Sequence, residues 1–164
     1  MNKSFLYLLL LFSGVGFAQE TISELLKKHN SKTIPYMSVQ ELAMPKTDAI
    51  ILDARELFEY KTSHLKHAIH VGYNTFNIDS VTQKLLDKNS KTVVYCSIGI
   101  RSENIAKKLK KAGYKNVYNL YGGIFEWKNN NFKVYDSEEQ ETENVHTFNQ
   151  HWSKWLKKGY KIYD

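Results

Sequence analysis

Two short runs of unbroken apolar side chains constrain this chain more than anything else in it. One opens the stretch AIILDAR (residues 49–55) and the other lies in TVVYC (92–96). Neither alternates apolar with polar residues, so neither suits a strand with one wet face; each reads as a strand buried on both sides. NVYNL (116–120) is a third strand and AIHV (68–71) a weaker fourth. Helical patterns lie around them. SELLKKHN (23–30) is a short polar helix, and Ser38-Val39-Gln40-Glu41 has capping-box spacing. Asp79 or Ser80 is placed to cap a helix with Val81, Leu85 and Leu86 on one side. Ser102 is placed to cap the next, with Glu103 in its first turn, Ile105, Leu109 and Ala112 on one face, lysines in its last turn and Gly113 as its left-handed stop. Gly122-Gly123 then turns the chain into a short helix ending near Trp127. Strands alternating with helices imply an α/β fold of three layers, a mostly parallel sheet with helices on both faces.

The two ends of the chain read differently. Lys3, the apolar stretch FLYLLLLF (5–12) and the small residues before Gln19 form the pattern of a cleaved secretory signal over residues 1–18. An uncleaved membrane anchor is the alternative. The reading is an exported protein, periplasmic if the producer is a Gram-negative bacterium and otherwise secreted. Residues 19–136 make one domain with a helical lead-in. Residues 137–164 follow as an acidic linker, part of DSEEQETEN (136–144), and an amphipathic tail. In that tail Val145, Phe148, Trp152, Trp155 and Leu156 fall at helical spacing, predicting a C-terminal amphipathic helix. It either packs back on its own domain or docks a protein partner or a membrane surface. WKNNNFKVYD (127–136) and WLKKGYKIYD (155–164) align without gaps, as two copies of a helix end, a turn and a short edge strand would.

The formal charge of +6 is carried largely by scattered lysines, with no Arg-rich cluster to follow a phosphate backbone; nucleic acid is not an expected partner. Cys96 is the single cysteine, so an internal disulfide is excluded. It is then either an inert strand-end residue or a thiol kept for its reactivity. In a parallel α/β sheet, ligands bind at the carboxyl ends of the strands, and Cys96 stands at such an end, a tight turn ahead of a helix. Such a turn points successive backbone N–H groups of residues 97–101 inward, and Gly99 permits the left-handed geometry required. The helix dipole and Arg101 add positive charge. Each favours thiolate over thiol and predicts a nucleophile of lowered pKa, in a cradle able to hold an anion borne by the sulfur.

Cys96-Ser97-Ile98-Gly99-Ile100-Arg101-Ser102 resembles the active-site loop of the rhodanese-like sulfurtransferases. Leu52-Asp53-Ala54-Arg55-Glu56 is similar to that family's opening signature, and Leu120-Tyr121-Gly122-Gly123-Ile124-Phe125-Glu126-Trp127 to its closing one. His64-Leu65 with Ala68-Ile69 matches the histidine segment between them, so the resemblance covers about residues 34–136. It implies that the Cys96 thiolate takes sulfane sulfur from a small anionic donor, thiosulfate or a persulfide. The resulting persulfide passes its sulfur to cyanide or a thiol, with no metal or dissociable cofactor. Residues 97–102 would bind substrate, with Arg101 as anchor for the donor's anionic end, unless Arg101 is instead paired with Asp53 or a glutamate. Asp53, Arg55 and His64 are expected to support the site. The spacing of His64, His67 and His70 straddles a turn and a strand and does not suit a metal.

The chain also departs from the family pattern. Ser97 and Ile98 stand where the two-domain thiosulfate enzymes have basic residues, and Glu59 where they have a second substrate-binding arginine. Lys66-His67 replaces the usual Pro-Gly. Two rivals stay open. A phosphatase or arsenate reductase of the same fold needs one more residue between cysteine and arginine than this loop has; Arg101 is the fifth residue after Cys96. A non-catalytic binding module commonly lacks the cysteine, which this chain keeps.

Overall fold

The computed structural model describes residues 20–163; the export signal read over residues 1–18 lies outside them. The chain begins with α1 (Ile22–His29), β1 (Tyr36–Met37), α2 (Val39–Ala43) and β2 (Ile50–Asp53). It continues through α3 (Leu57–Thr62), β3 (Ile69–His70), α4 (Ile78–Lys84) and β4 (Thr92–Tyr95). Next come α5 (Arg101–Lys111), β5 (Val117–Leu120), α6 (Gly123–Asn129) and β6 (Val134–Tyr135), and the chain closes with β7 (Glu141–Thr142), β8 (Asn144–His146), α7 (Gln150–Ser153) and β9 (Tyr160–Ile162). The first five strands form one sheet in the order β1-β5-β4-β2-β3, every pair parallel. The two apolar runs pair with each other at its centre, and all four residues of β4 are buried, as an unbroken apolar run requires.

Alternate residues of β4 feed opposite faces of the sheet. Val93 and Tyr95 join the apolar cluster containing α1, α2 and α6, while Val94 joins the one built from α4 and α5. The expected α/β layering is therefore present. The register sets Asp53 beside Tyr95 and Asn119 beside Val94. These polar residues are completely buried at the carboxyl edge of the three central strands, just below Cys96.

Local details differ from the sequence reading. α4 is capped by Asn77, whose side chain accepts the Ser80 N–H, so the helix starts two or three residues earlier than a cap at Asp79 or Ser80 would place it. Its last apolar residue, Leu86, is exposed beyond the helix end. α5 begins at Arg101 with Ile100 as its flanking residue, so Ser102 is not a cap but a first-turn residue turned inward. The acidic run is not a linker. Asp136 accepts the N–H groups of Glu138 and Gln140, closing a turn that pairs β6 with β7.

The C-terminal helix is a single turn, α7, instead of a segment running from Val145 to Leu156. Val145 lies in β8, which pairs in parallel with β9. Phe148, at φ 67°, breaks any helical continuity between them. The segment nevertheless packs back on the domain. Val145, Trp155 and Leu156 are buried in the α1/α2/α6 cluster, and the Trp155 carbonyl accepts Asn129 Nδ2 at 3.0 Å. Phe58 of α3 meets His146 edge-to-face at 4.9 Å. The two similar decapeptides have the same local form: each leaves a helix, turns at a residue of positive φ (Asn131 or Gly159) and enters a short strand.

Candidate active site

Cys96 sits on the carboxyl edge of central β4, and its loop reaches the start of α5 at Arg101. It lines a cavity of about 280 Å³ together with Ser97, Ile98, Ile100, Arg101, Glu56, Tyr73, Asn74, Phe148 and Trp152. The sulfur accepts hydrogen bonds from the Gly99 N–H at 3.1 Å and the Ser102 hydroxyl at 3.4 Å. Burial pushes the thiol pKa up. The charge of Arg101, the Ser102 hydroxyl and the N–H groups of Ser102 and Gly99 pull it down, and they prevail: the Cys96 pKa lies below the ordinary thiol value. Of the other loop residues, Ser97, Ile98 and Ile100 have N–H groups that donate to no acceptor among the described residues. All three residues line the cavity.

The Gly99 peptide is fixed from both sides. Its φ of 114° lies where L side chains are strained, and its carbonyl accepts both Asn119 Nδ2 at 2.8 Å and Asn30 Nδ2 at 2.9 Å. Asn119 Oδ1 in turn accepts the Ser102 hydroxyl at 2.7 Å, so a single buried amide orients two of the groups facing the sulfur. A polar residue in the central strand β5 was the sequence signal for this role, and the reading of that strand passed over it.

The glycine pair before α6 serves the same loop. The N–H groups of Ile124 and Phe125 bind the Cys96 and Ser97 carbonyls at 2.9 and 3.1 Å. A Cβ on Gly123 would stand 2.2 Å from the Cys96 carbonyl oxygen, so only glycine admits this approach.

Arg101, expected to anchor the donor unless paired with Asp53 or a glutamate, is paired with Glu59. Its Nη1 and Nη2 donate to the two carboxylate oxygens of Glu59 at 2.6 and 2.8 Å, and Nη2 also reaches Ser97 Oγ at 3.0 Å. Phe148 covers the guanidinium, with its ring centroid 5.6 Å from Cζ. Burial raises the Glu59 pKa, but hydrogen bonds and charge from Arg101, with the Arg55 charge, bring it below the usual carboxylate value. Sequence reasoning noticed Glu59 only as a departure from a pattern, because a carboxylate on a short helix ordinarily faces water.

Asp53 and Arg55 form the supporting pair beneath the loop. Arg55 Nη2 donates to Asp53 Oδ2 at 2.6 Å and to the Ser63 carbonyl at 2.6 Å, with both side chains sealed from solvent. Tyr95 OH donates to the same carboxylate at 2.5 Å and accepts the Leu65 N–H. Burial and the Asp53 charge hold the Tyr95 pKa well above its ordinary value. His64 is placed away from the cysteine loop. It stacks on Tyr60 at 4.1 Å and bridges the Tyr60 carbonyl and Glu139 of the β6–β7 turn, both at 3.1 Å. His70 meets the Arg55 carbonyl instead.

A cysteine held in the loop that leaves the central strand of a five-stranded parallel sheet defines a class of α/β domains. The comparisons with known proteins place the chain within that class. A family model for the rhodanese-like domain matches residues 38–130, and the chain belongs to that family. It is 34% identical over 97 residues to a protein of Coxiella burnetii named thiosulfate sulfurtransferase GlpE, covering 59% of this chain and 87% of that one. It is 36% identical over 115 residues to the tRNA uridine(34) hydroxylase of Hamiltonella defensa, covering 68% of this chain but only 31% of the hydroxylase. Among solved structures, the BH2092 protein of Bacillus halodurans superposes with a TM-score of 0.56 at 25% identity, over 71% of this chain and 88% of that one.

Proposed function

We propose that this protein is an exported sulfurtransferase that carries sulfane sulfur on Cys96. The observation that carries the reading is the Cys96 sulfur itself: of lowered pKa, held by Gly99 N–H and Ser102 Oγ, and lining a cavity. The relative named as a thiosulfate sulfurtransferase supports it. The thiolate attacks the outer sulfur of a donor; the new Cys96 S–S bond forms as the donor's own bond to that sulfur breaks. The donor's electron pair leaves with its remaining fragment as an anion, which solvent protonates where its basicity requires. The N–H groups of Ser97, Ile98 and Ile100, without acceptors among the described residues, would hold the negative outer sulfur. A thiol or cyanide then attacks that sulfur and restores the Cys96 thiolate, so no electrons are gained or lost overall. With one cysteine in the sequence, the persulfide cannot collapse into an internal disulfide.

Phosphoryl chemistry suits the site less. The guanidinium that would grip phosphoryl oxygens has both terminal nitrogens on Glu59, and the loop is one residue shorter than that chemistry uses. The exported setting rests on the N-terminal sequence pattern, and fractionation of the producing cells tests it. The activity is tested by thiocyanate formation from a sulfane-sulfur donor and cyanide. The purified chain is expected to turn over and Cys96→Ser to be inactive. Turnover by the serine variant would place the chemistry elsewhere.

A further inference from the structure

Away from the loop N–H groups around the sulfur, the cavity above Cys96 is poorly suited to an anion and well suited to an apolar arm. Among the described residues that line it, Arg101 is the only lysine or arginine. Its two terminal nitrogens face Glu59, and Phe148 lies against its guanidinium. Glu56 adds an acid to the same wall. The remaining lining is mainly apolar and aromatic, from Ile98, Ile100, Tyr73, Phe148 and Trp152. The volume of about 280 Å³ approaches the small end of the range for organic-ligand pockets, roughly 300 Å³ and upward, and is large for a bare sulfur oxyanion. Two of the aromatic walls come from the C-terminal segment, beyond the part of the chain that the family model matches. That segment is fixed in place. Phe148 N–H donates to His146 Nδ1 at 3.1 Å, Trp152 N–H to Asn149 Oδ1 at 3.2 Å, and Trp155 is buried three residues further on.

We infer that the donor is a small organic hydropersulfide, R–S–SH, with an uncharged apolar R group, and that Phe148 and Trp152 determine this preference. The inference rests on the sulfurtransferase reading and names the substrate class of the same site. The Cys96 thiolate attacks the terminal sulfur of R–S–SH, the S–S bond of the donor breaks, and R–S⁻ departs to be protonated to the thiol. Cys96 keeps the transferred sulfur as a persulfide. The R group lies against Phe148, Trp152 and Ile98, where a carboxylate or sulfonate would be desolvated without a free cation.

Benzyl hydropersulfide and para-carboxybenzyl hydropersulfide test this, because they share leaving-group chemistry and differ in charge. The readout is the single-turnover rate constant for loading sulfur onto Cys96, measured by mass after an alkylating quench, with Cys96→Ser as background. The benzyl donor is expected to load at least about 10-fold faster, the discrimination typical of a shaped apolar pocket. Phe148→Ala and Trp152→Ala are each expected to bring the ratio several-fold closer to one. Equal or faster loading from the carboxylated donor overturns the donor class and leaves the sulfurtransferase reading standing. An unchanged ratio in both variants, if each melts cooperatively, removes the role given to the C-terminal segment. Loading from neither hydropersulfide nor from thiosulfate overturns the sulfurtransferase reading itself. The wild-type comparison decides the donor class even if a variant does not fold.

Discussion

Two carboxylate–guanidinium pairs lie near Cys96, and they do different work. Asp53–Arg55 is completely sealed, with Tyr95 OH donating to the carboxylate and the Ser63 carbonyl accepting from Arg55 Nη2. Glu59–Arg101 has an equally buried acid, but 21% of its arginine side chain is exposed, at the wall of the cavity. In the first pair the opposite charges neutralise one another below the loop and tie β2, β4 and the end of α3 together. In the second, the acid holds the arginine beside the cysteine loop, offsets its charge and takes one donor from each of its terminal nitrogens. The same kind of ion pair is thus scaffold in one place and, in the other, sets the charge beside Cys96. Exposure to the cavity makes the difference.

The largest effect is expected on the sealed pair. Arg55→Met leaves the Asp53 carboxylate buried without its charge partner and is expected to cost about 3–5 kcal/mol of stability. The denaturant midpoint measures it, and a loss below 1 kcal/mol would show the pair to be dispensable to the fold. Arg101→Gln is expected to cost less stability but more chemistry. Without the Arg101 charge the Cys96 pKa rises, and each unit reduces the thiolate present well below that pKa by about tenfold. The pH dependence of Cys96 alkylation reads this directly, its midpoint moving up in the variant. An unmoved midpoint would mean that the loop N–H groups and Ser102 set the pKa alone.

Tyr95→Phe removes a donor to Asp53 and an acceptor for the Leu65 N–H, for an expected loss of about 1–3 kcal/mol in the same denaturant measurement. Glu59→Gln sharpens the comparison from the other side. The folded Glu59 pKa is depressed, so its contribution is fully present above the unfolded value of roughly 4.3 and disappears as pH falls through the lower folded one. Stability measured from about pH 6 down to pH 3 should therefore fall less steeply in the glutamine variant than in wild type. The same substitution releases Arg101 from a charged partner and is expected to raise loading from thiosulfate relative to the benzyl donor. The smallest effect belongs to Ser102→Ala, which removes one hydrogen bond to the sulfur and one to Asn119. An alkylation rate lowered a few-fold at neutral pH is the expected outcome.

What could be read from the sequence was what neighbours in sequence determine. β2 and β4 follow from apolar runs, and the cysteine loop from consecutive residues ending in a helix start. Gly99 and Gly123 stand where positive φ and close backbone approach are required. Contacts made across the fold were hidden. Glu59 meets Arg101 only because α3 and the cysteine loop converge at the same sheet edge, and Asn119 acts only because β5 lies beside β4. Helical spacing in the tail was misleading. Val145, Trp155 and Leu156 are indeed buried together, but a strand and a one-turn helix bring them there, separated by the left-handed Phe148. The acidic run looked solvated because composition does not show that Asp136 closes a hairpin turn on its own backbone.

The central claim is that sulfur travels on Cys96, and intact mass of the purified chain follows it through both half-reactions. Incubation with benzyl hydropersulfide and removal of excess donor should leave the chain heavier by one sulfur atom. Cyanide or a thiol should then return it to its starting mass, and Cys96→Ser should show neither change. A wild-type chain that gains no sulfur from any sulfane donor, or gains it and fails to release it to any acceptor, contradicts the account.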